Sequence, residues 1–285
     1  MTGNDLPRTA KRVLKLGISL VYVILRTGGE AATRLLGRTH RYRPIVVLTY
    51  HAVEPDDLGR FERQVRLLST HAHSVFADDL SSSGGLPAVA VTFDDAFEGV
   101  FERALPILAR HEVPATIFVP TGSIGSQPAW IADQTRQARA LGPVVSAQTL
   151  TAIDKRRVRI GSHTVSHPRL AKLDEPRLQK ELADSKRTLE QIVGDPVTTL
   201  ALPYGSCSPG VVAMASRMGY TRVFANVPLS ARVTRSSPLV GRVDVSPRDW
   251  PLEFRLKIHG AYEWLVVAVP TKRWLLGLLG KRRES

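Results

Sequence analysis

Two adjacent carboxylates, Asp94 and Asp95, end the apolar run AVAVTF, and His163 and His167 are separated by three residues in SHTVSH. Two His at that separation can meet one metal ion from a helical turn or a tight loop. A carboxylate from another strand end would complete a set of two nitrogens and one oxygen, leaving positions for water and substrate. The other carboxylate, uncoordinated, can then take a proton from the water. That chemistry is hydrolysis. The competing reading of the acid pair is punctuation of a solvated turn, since Asp is common where strands stop. An H-x-x-x-H pair alone is likewise weak evidence for a metal.

The elements that must carry these residues decide between the two readings. Apolar, β-branched runs at 45–50, 88–93, 115–120, 158–162 and 198–202 read as buried strands, with weaker candidates at 221–225 and 239–243. Residues 98–112 and 176–194 read as helices, the second stopping at Gly194 with Pro196 beyond it. Strand and helix in alternation predict an α/β chain with a parallel sheet or a closed β/α barrel. In parallel barrels the chemistry collects at the carboxyl ends of the strands. His51 follows IVVLTY, Asp94 and Asp95 follow AVAVTF, His163 and His167 follow VRIGS, and Tyr204 follows TTLALP. Four strands thus deliver polar groups to one rim, which scattered turn residues would not do.

Charge and the chain ends bear on partners. The 39 Lys and Arg against 26 Asp and Glu leave a net charge of +13, densest in RTAKRVLK, RTHRYR and KRRES. No aromatic-interleaved basic module or zinc-finger spacing accompanies it, which argues against nucleic acid and for an anionic membrane surface. Cys207 is the single cysteine, so no intrachain disulfide forms. Residues 13–25 are nearly all apolar, but Arg26 ends the run short of the roughly 20 residues a spanning helix needs. RTGGEAATRLLGR follows where a secretory signal would place a small-residue cleavage site, so no cleavable signal is evident. The segment reads either as a helix packed on the domain or as an amphipathic helix lying in the headgroup region. YEWLVVAVPTKRWLLGLLGKRRES has the same character. The expected division is a helical segment at 1–42, a catalytic domain at 43–262 and a basic amphipathic tail at 263–285. The expected location is peripheral to a membrane, on its cytoplasmic face. Nothing in the sequence speaks to oligomeric state.

TFDD, SHTVSHP and LPYGS, in that order, resemble the motifs of the polysaccharide deacetylase family (the NodB homology domain, carbohydrate esterase family four). The similarity runs from about Ile45 to Tyr262 and includes ALPILARHEVPATIFVPTG and LADSKRTLEQIVGDPV. It implies a distorted (β/α) barrel, here flanked by the terminal amphipathic helices, and one divalent metal ion, with zinc the expected identity. It also implies hydrolysis of an N-acetyl group on an amino sugar. Carried over by motif, Asp94 is the general base, and Asp95, His163 and His167 are the metal ligands. The Tyr204 backbone N–H then helps to hold the oxyanion.

The sequence departs from the family pattern in two places. Ala201 stands where many members carry an Arg that orients the base, a role Arg242 in VGRVDV could take. No clear late Leu-x-His motif supplies the acid. His51 in LTYHAV resembles the early Tyr-His of the poly-N-acetylglucosamine deacetylase branch and is the preferred acid, with His259 the alternative. Asp244, Asp249 and Trp250 in VDVSPRDWP only loosely match the fourth motif, as supporting residues. The function these features imply is removal of N-acetyl groups from an N-acetylated glycan or a lipid-linked saccharide. An amidohydrolase acting on a non-sugar amide is one alternative. A non-catalytic glycan-binding or membrane-scaffold protein on the same fold is the other.

Overall fold

A computed structural model describes residues 8–35, 45–80, 86–131, 141–227, 238–266 and 268. Its strands are β1 (Ile45–Tyr50), β2 (His73–Val75), β3 (Ala88–Phe93), β4 (Ala115–Val119), β5 (Val158–Ser162), β6 (Thr199–Ala201), β7 (Arg222–Ala225), β8 (Leu239–Gly241) and β9 (Val243–Asp244). All pair in parallel, in the order β8-β7-β6-β5-β4-β3-β1-β9, with β2 beside β3. β1 takes one edge of β3 along its whole length, while β2 pairs with residues 88–90 and β4 with residues 91–93 on the other edge. That sharing of one edge distorts the barrel.

Closure depends on a single short segment. Leu239–Gly241 pairs with β7, and two residues later Val243–Asp244 pairs with β1 at the opposite edge. The strand expected at 239–243 is therefore two strands, split at Arg242. The fold is an α/β distorted barrel, nearly closed, with helices outside it.

Strands buried on both faces need apolar residues at most positions, which is why these runs do not alternate. Val47, Ala90, Phe118, Ala201, Phe224 and Val240 fill the barrel. Leu48, Val91, Ile117, Leu200 and Val223 belong to the larger core shared with the surrounding helices. Gly161 on β5 is required by this packing: a Cβ there would lie 2.5 Å from both the Phe118 ring and Thr199 Oγ1.

The helices are α1 (Arg8–Leu35), α2 (Leu58–His71), α3 (Leu105–Arg110), α4 (Ala147–Thr151), α5 (Glu175–Val193), α6 (Pro209–Arg217) and α7 (Pro251–Ile258). α5 starts at Asp174, whose side chain accepts the Arg177 N–H at 3.0 Å, and stops at Gly194 in the left-handed region (φ 70°). The helix expected at 98–112 is interrupted: Val100–Ala104 is a π turn, and α3 begins after it. Pro106 has no N–H to give the preceding turn, which accounts for the break in the ladder. α2 was not expected, although Phe61, Val65 and Leu68 have the helical spacing and are buried.

α1 packs along α7. Arg12 Nε donates to Glu253 Oε2 at 2.6 Å, Tyr22 Oη to Glu263 Oε2 at 3.2 Å, and Arg26 Nη2 to the His259 carbonyl at 2.9 Å. Leu16 and Val23 join Leu256, Ala261 and Tyr262 in a small core, and Trp264 Nε1 donates to Ser19 Oγ. The opposite face is apolar and open to solvent: Val13, Leu14, Ile18, Leu20, Val21, Ile24 and Leu25 are all exposed. No helix among the described residues is long and apolar enough to cross a membrane. Most of the tail, residues 269–285 with Trp274, lies outside the described residues.

Candidate active site

Strand parity explains the opening pair of acids. Ala88 and Ala90 face the barrel interior, and Asp94 follows them at even spacing. At Asp95 the alternation breaks, because Asp95 and Ala96 both have positive φ (67° and 49°). The kink sends the second carboxylate across the rim to the histidines instead of outward. Such a conformation costs about 1–3 kcal/mol at a residue bearing a side chain. Thr164, His167 and Tyr204 share it, with φ of 70°, 58° and 55°. Strained backbone is thus concentrated on the loops where the candidate residues meet.

Asp95 Oδ1 lies 3.6 Å from His163 Nε2 and 3.5 Å from His167 Nε2. The three side chains are buried, with donor atoms within 4.8 Å of one another. His163 Nδ1 donates to the Ala201 carbonyl at 2.9 Å, a contact that turns Nε2 toward Asp95. His167 is enclosed by aromatic rings: Trp130 stacks on it at 4.2 Å, and Tyr204 meets it edge-on at 4.7 Å. Burial, then the neighbouring His163, push the His167 imidazole down to about 3, so it is neutral at physiological pH. Asp95 Oδ1 and His167 Nδ1 are buried without a hydrogen-bond partner among the described residues. An orphaned carboxylate oxygen facing two imidazole nitrogens is a donor set that fits a divalent cation.

Asp94 has a different environment. Arg242 Nη1 and Nη2 donate to its two oxygens at 2.6 and 2.7 Å, and Nη2 also donates to Asn226 Oδ1 at 2.7 Å. Burial alone would raise the Asp94 carboxyl; the Arg242 guanidinium, then His163, reverse this and hold it well below the usual carboxylate range. Asp95 goes the other way: burial outweighs His163 and lifts its carboxyl. Neighbours in sequence are thus an anion held by a guanidinium and a carboxylate whose Oδ1 has no hydrogen-bond partner among the described residues.

The loop carrying the histidines is held by α5. Glu181 Oε2 accepts the Val165 and Ser166 N–H groups at 2.8 and 3.0 Å, and Oε1 accepts Ser166 Oγ–H at 2.6 Å. Inside the loop, the His167 N–H donates to Thr164 Oγ1 at 3.1 Å.

The remaining sequence candidates divide between the rim and elsewhere. His51 is exposed directly after β1, whose last residue, Tyr50, pairs with Phe93 next to Asp94. Tyr204 lies in a turn after β6, its ring half-exposed beneath the Arg169 guanidinium at 4.4 Å. Arg242 is buried against Asp94. Asp244 is on β9 opposite Thr49, its side chain exposed and its carbonyl accepting from Lys257 Nζ. Asp249 takes up the same lysine at 2.7 Å. Trp250 lies under Arg12 of α1, so it serves the helix contact and not the rim. His259, the alternative acid, closes α7 beside Arg26. Sequence reading missed Trp130, Glu181 and Asn226. Asn226 directly follows β7, where the strand-end rule would have found it; the other two carry no local signal.

A parallel barrel whose rim sets a guanidinium-paired acid beside a candidate metal triad, Asp95, His163 and His167, is suited to hydrolysis. The family profile for polysaccharide deacetylase matches residues 82–223. A chitooligosaccharide deacetylase of Sinorhizobium fredii is 26% identical over 171 residues, which are 59% of this chain and 62% of that protein. Among solved structures, a Streptococcus pyogenes deacetylase, PplD, in complex with acetate, superposes with a TM-score of 0.64 at 18% identity, covering 75% of this chain and 98% of that one. IcaB from Ammonifex degensii gives 0.62 at 22% identity, covering 76% and 98%. The chain belongs to the polysaccharide deacetylase family. It is a hydrolase of carbon–nitrogen bonds other than peptide bonds.

Proposed function

We propose that the protein removes N-acetyl groups from an amino-sugar glycan, with one divalent cation, zinc, held by Asp95, His163 and His167. The observation carrying this reading is Asp95 Oδ1, buried without a hydrogen bond and 3.5–3.6 Å from two imidazole Nε2 atoms, beside a carboxylate that Arg242 keeps ionised. A cation bound there would polarise the amide carbonyl and favour ionisation of water. Asp94 accepts the proton of the attacking water. The Tyr204 backbone N–H donates to the carbonyl oxygen as negative charge develops on it. His51 gives its proton to the departing sugar nitrogen, without which an amide does not cleave.

The test is acetate release from N-acetylglucosamine oligomers by the purified chain, with and without chelator and added zinc or cobalt. Acetate that chelator abolishes and metal restores is the expected result. Stoichiometric metal with no acetate from any N-acetylated glycan would overturn the reading.

The exposed apolar face of α1 and the net charge of +13 favour a narrower version: a peripheral enzyme at an anionic, cytoplasmic membrane face, acting on a lipid-linked saccharide. Removing residues 1–40 should release the protein from membranes on sedimentation. Unchanged co-sedimentation would count against it.

A further inference from the structure

A cleft of about 270 Å³ lies between α2 and the loop from β9 to α7, and the candidate site residues on the rim do not line it. Arg60, Arg63, Arg248 and Trp250 line it, with Gln64 and Asp249. Asp57, buried between two of the arginines, accepts Arg60 Nη1 on one oxygen and Arg248 Nε on the other, each at 2.7 Å. Arg248 also reaches Glu54 at 3.2 Å. A guanidinium has five N–H donors, so both retain donors for a ligand. Arg63 is exposed and has no acidic partner among the described residues. The carboxylate in the lining, Asp249, is occupied by Lys257 Nζ at 2.7 Å and the Ser246 N–H at 3.2 Å.

Two connections give this cleft a context. Gln64 accepts from Tyr50 Oη at 2.9 Å and donates to the Ser246 carbonyl at 2.8 Å, so the cleft abuts the strand end that carries His51. Its other side meets α1: Arg12 lies 4.5 Å above the Trp250 ring and donates to the Arg248 carbonyl at 2.8 Å. Val13, the next residue, begins the exposed apolar face.

We propose that this cleft is a phosphate-binding subsite that takes a phosphate or pyrophosphate ester on an apolar chain, the chain lying along the outer face of α1. Planar guanidinium groups match phosphate oxygens in pairs, and the apolar face supplies what a bare anion would not use. The proposal rests on the deacetylase reading and narrows it, because it makes the glycan one attached through phosphate to a lipid.

The test titrates the full-length chain with inorganic pyrophosphate and, separately, with farnesyl pyrophosphate, followed by calorimetry. The expected result is that Arg63→Ala with Arg60→Ala weakens both ligands at least ten-fold, while Arg66→Ala, outside the cleft, leaves both unchanged. Farnesyl pyrophosphate should bind at least ten-fold more tightly than pyrophosphate, an advantage that Leu20→Ser with Ile24→Ser removes. Affinities indifferent to the arginines, or an equal fit for both ligands, would overturn the proposal. Circular dichroism melting checks that each variant folds; if the double-arginine variant does not, Arg63→Glu alone must weaken both ligands. Acetate release by the wild-type chain is measured in parallel. Acetate without cleft binding defeats this proposal alone, and absence of acetate defeats the deacetylase reading while leaving the titration interpretable.

Discussion

Asp94 is charged where burial most opposes charge, and Arg242 is the reason. Replacing it by Met would strand a buried carboxylate, at a cost of about 3–5 kcal/mol in stability. The sign of the pH effect follows. In the wild type the depressed carboxyl contributes stability above its ordinary value near 3.8, lost only as pH falls through the lower folded value. Without Arg242, only the weaker pull of His163 and His51 opposes burial, and the carboxyl rises. The acidic limb of the pH–rate profile should therefore move to higher pH in Arg242→Met, with activity at neutral pH falling about a hundredfold or more. An unmoved limb would separate Arg242 from the base. Asp94→Asn should abolish acetate release yet retain bound metal, measured by elemental analysis; lost metal would mean that the roles of the two acids are exchanged. His51→Ala should slow amide cleavage more than cleavage of an activated ester, whose leaving group needs no proton. At this scale the sequence was informative, because strand-end acids and an H-x-x-x-H pair are local patterns. The guanidinium was less so. Ala201 and Arg242 serve the same barrel interior from different strands, and only the fold brings Arg242 to Asp94.

Among the elements, α5 matters beyond its packing. Glu181 ties down three donors of the loop bearing His163 and His167, two of whose residues sit at positive φ. Glu181→Ala should weaken metal affinity about 10–100-fold, read by competition with a chromogenic chelator, with little loss of helix signal. Unaltered affinity would mean the loop holds itself. No reading of residues 175–193 alone could have distinguished Glu181 from the other acids on that helix, since its partners lie on a loop. The long apolar strands were legible because each is a continuous run of suitable length. β8 and β9 were harder to read, since a strand that changes partners mid-run looks like one strand. Gly161→Ala, by driving a methyl into Phe118 and Thr199, should cost about 1–3 kcal/mol, measured by denaturant midpoint.

For the whole molecule, the apolar run at 13–25 predicted a helix but left its role divided between packing and lipid. The structure resolves the packing half: α1 uses Arg12, Leu16, Ser19, Val23 and Arg26 against α7 and the chain after it. Both readings draw on one helix because its two faces differ. Periodicity reveals two faces but not which one the domain takes.

Residues 239–244 touch both edges of the barrel, and Arg242 sits at the crossing. Closure of the barrel and the seating of a guanidinium on Asp94 are therefore one event. A nascent chain whose residue 242 has not left the ribosome can pair β1 with β3 and β3 with β4, and can bring Asp95 toward the two histidines. Asp94 would still lack its paired guanidinium. The acid and its guanidinium would meet only once β8 and β9 are both in place.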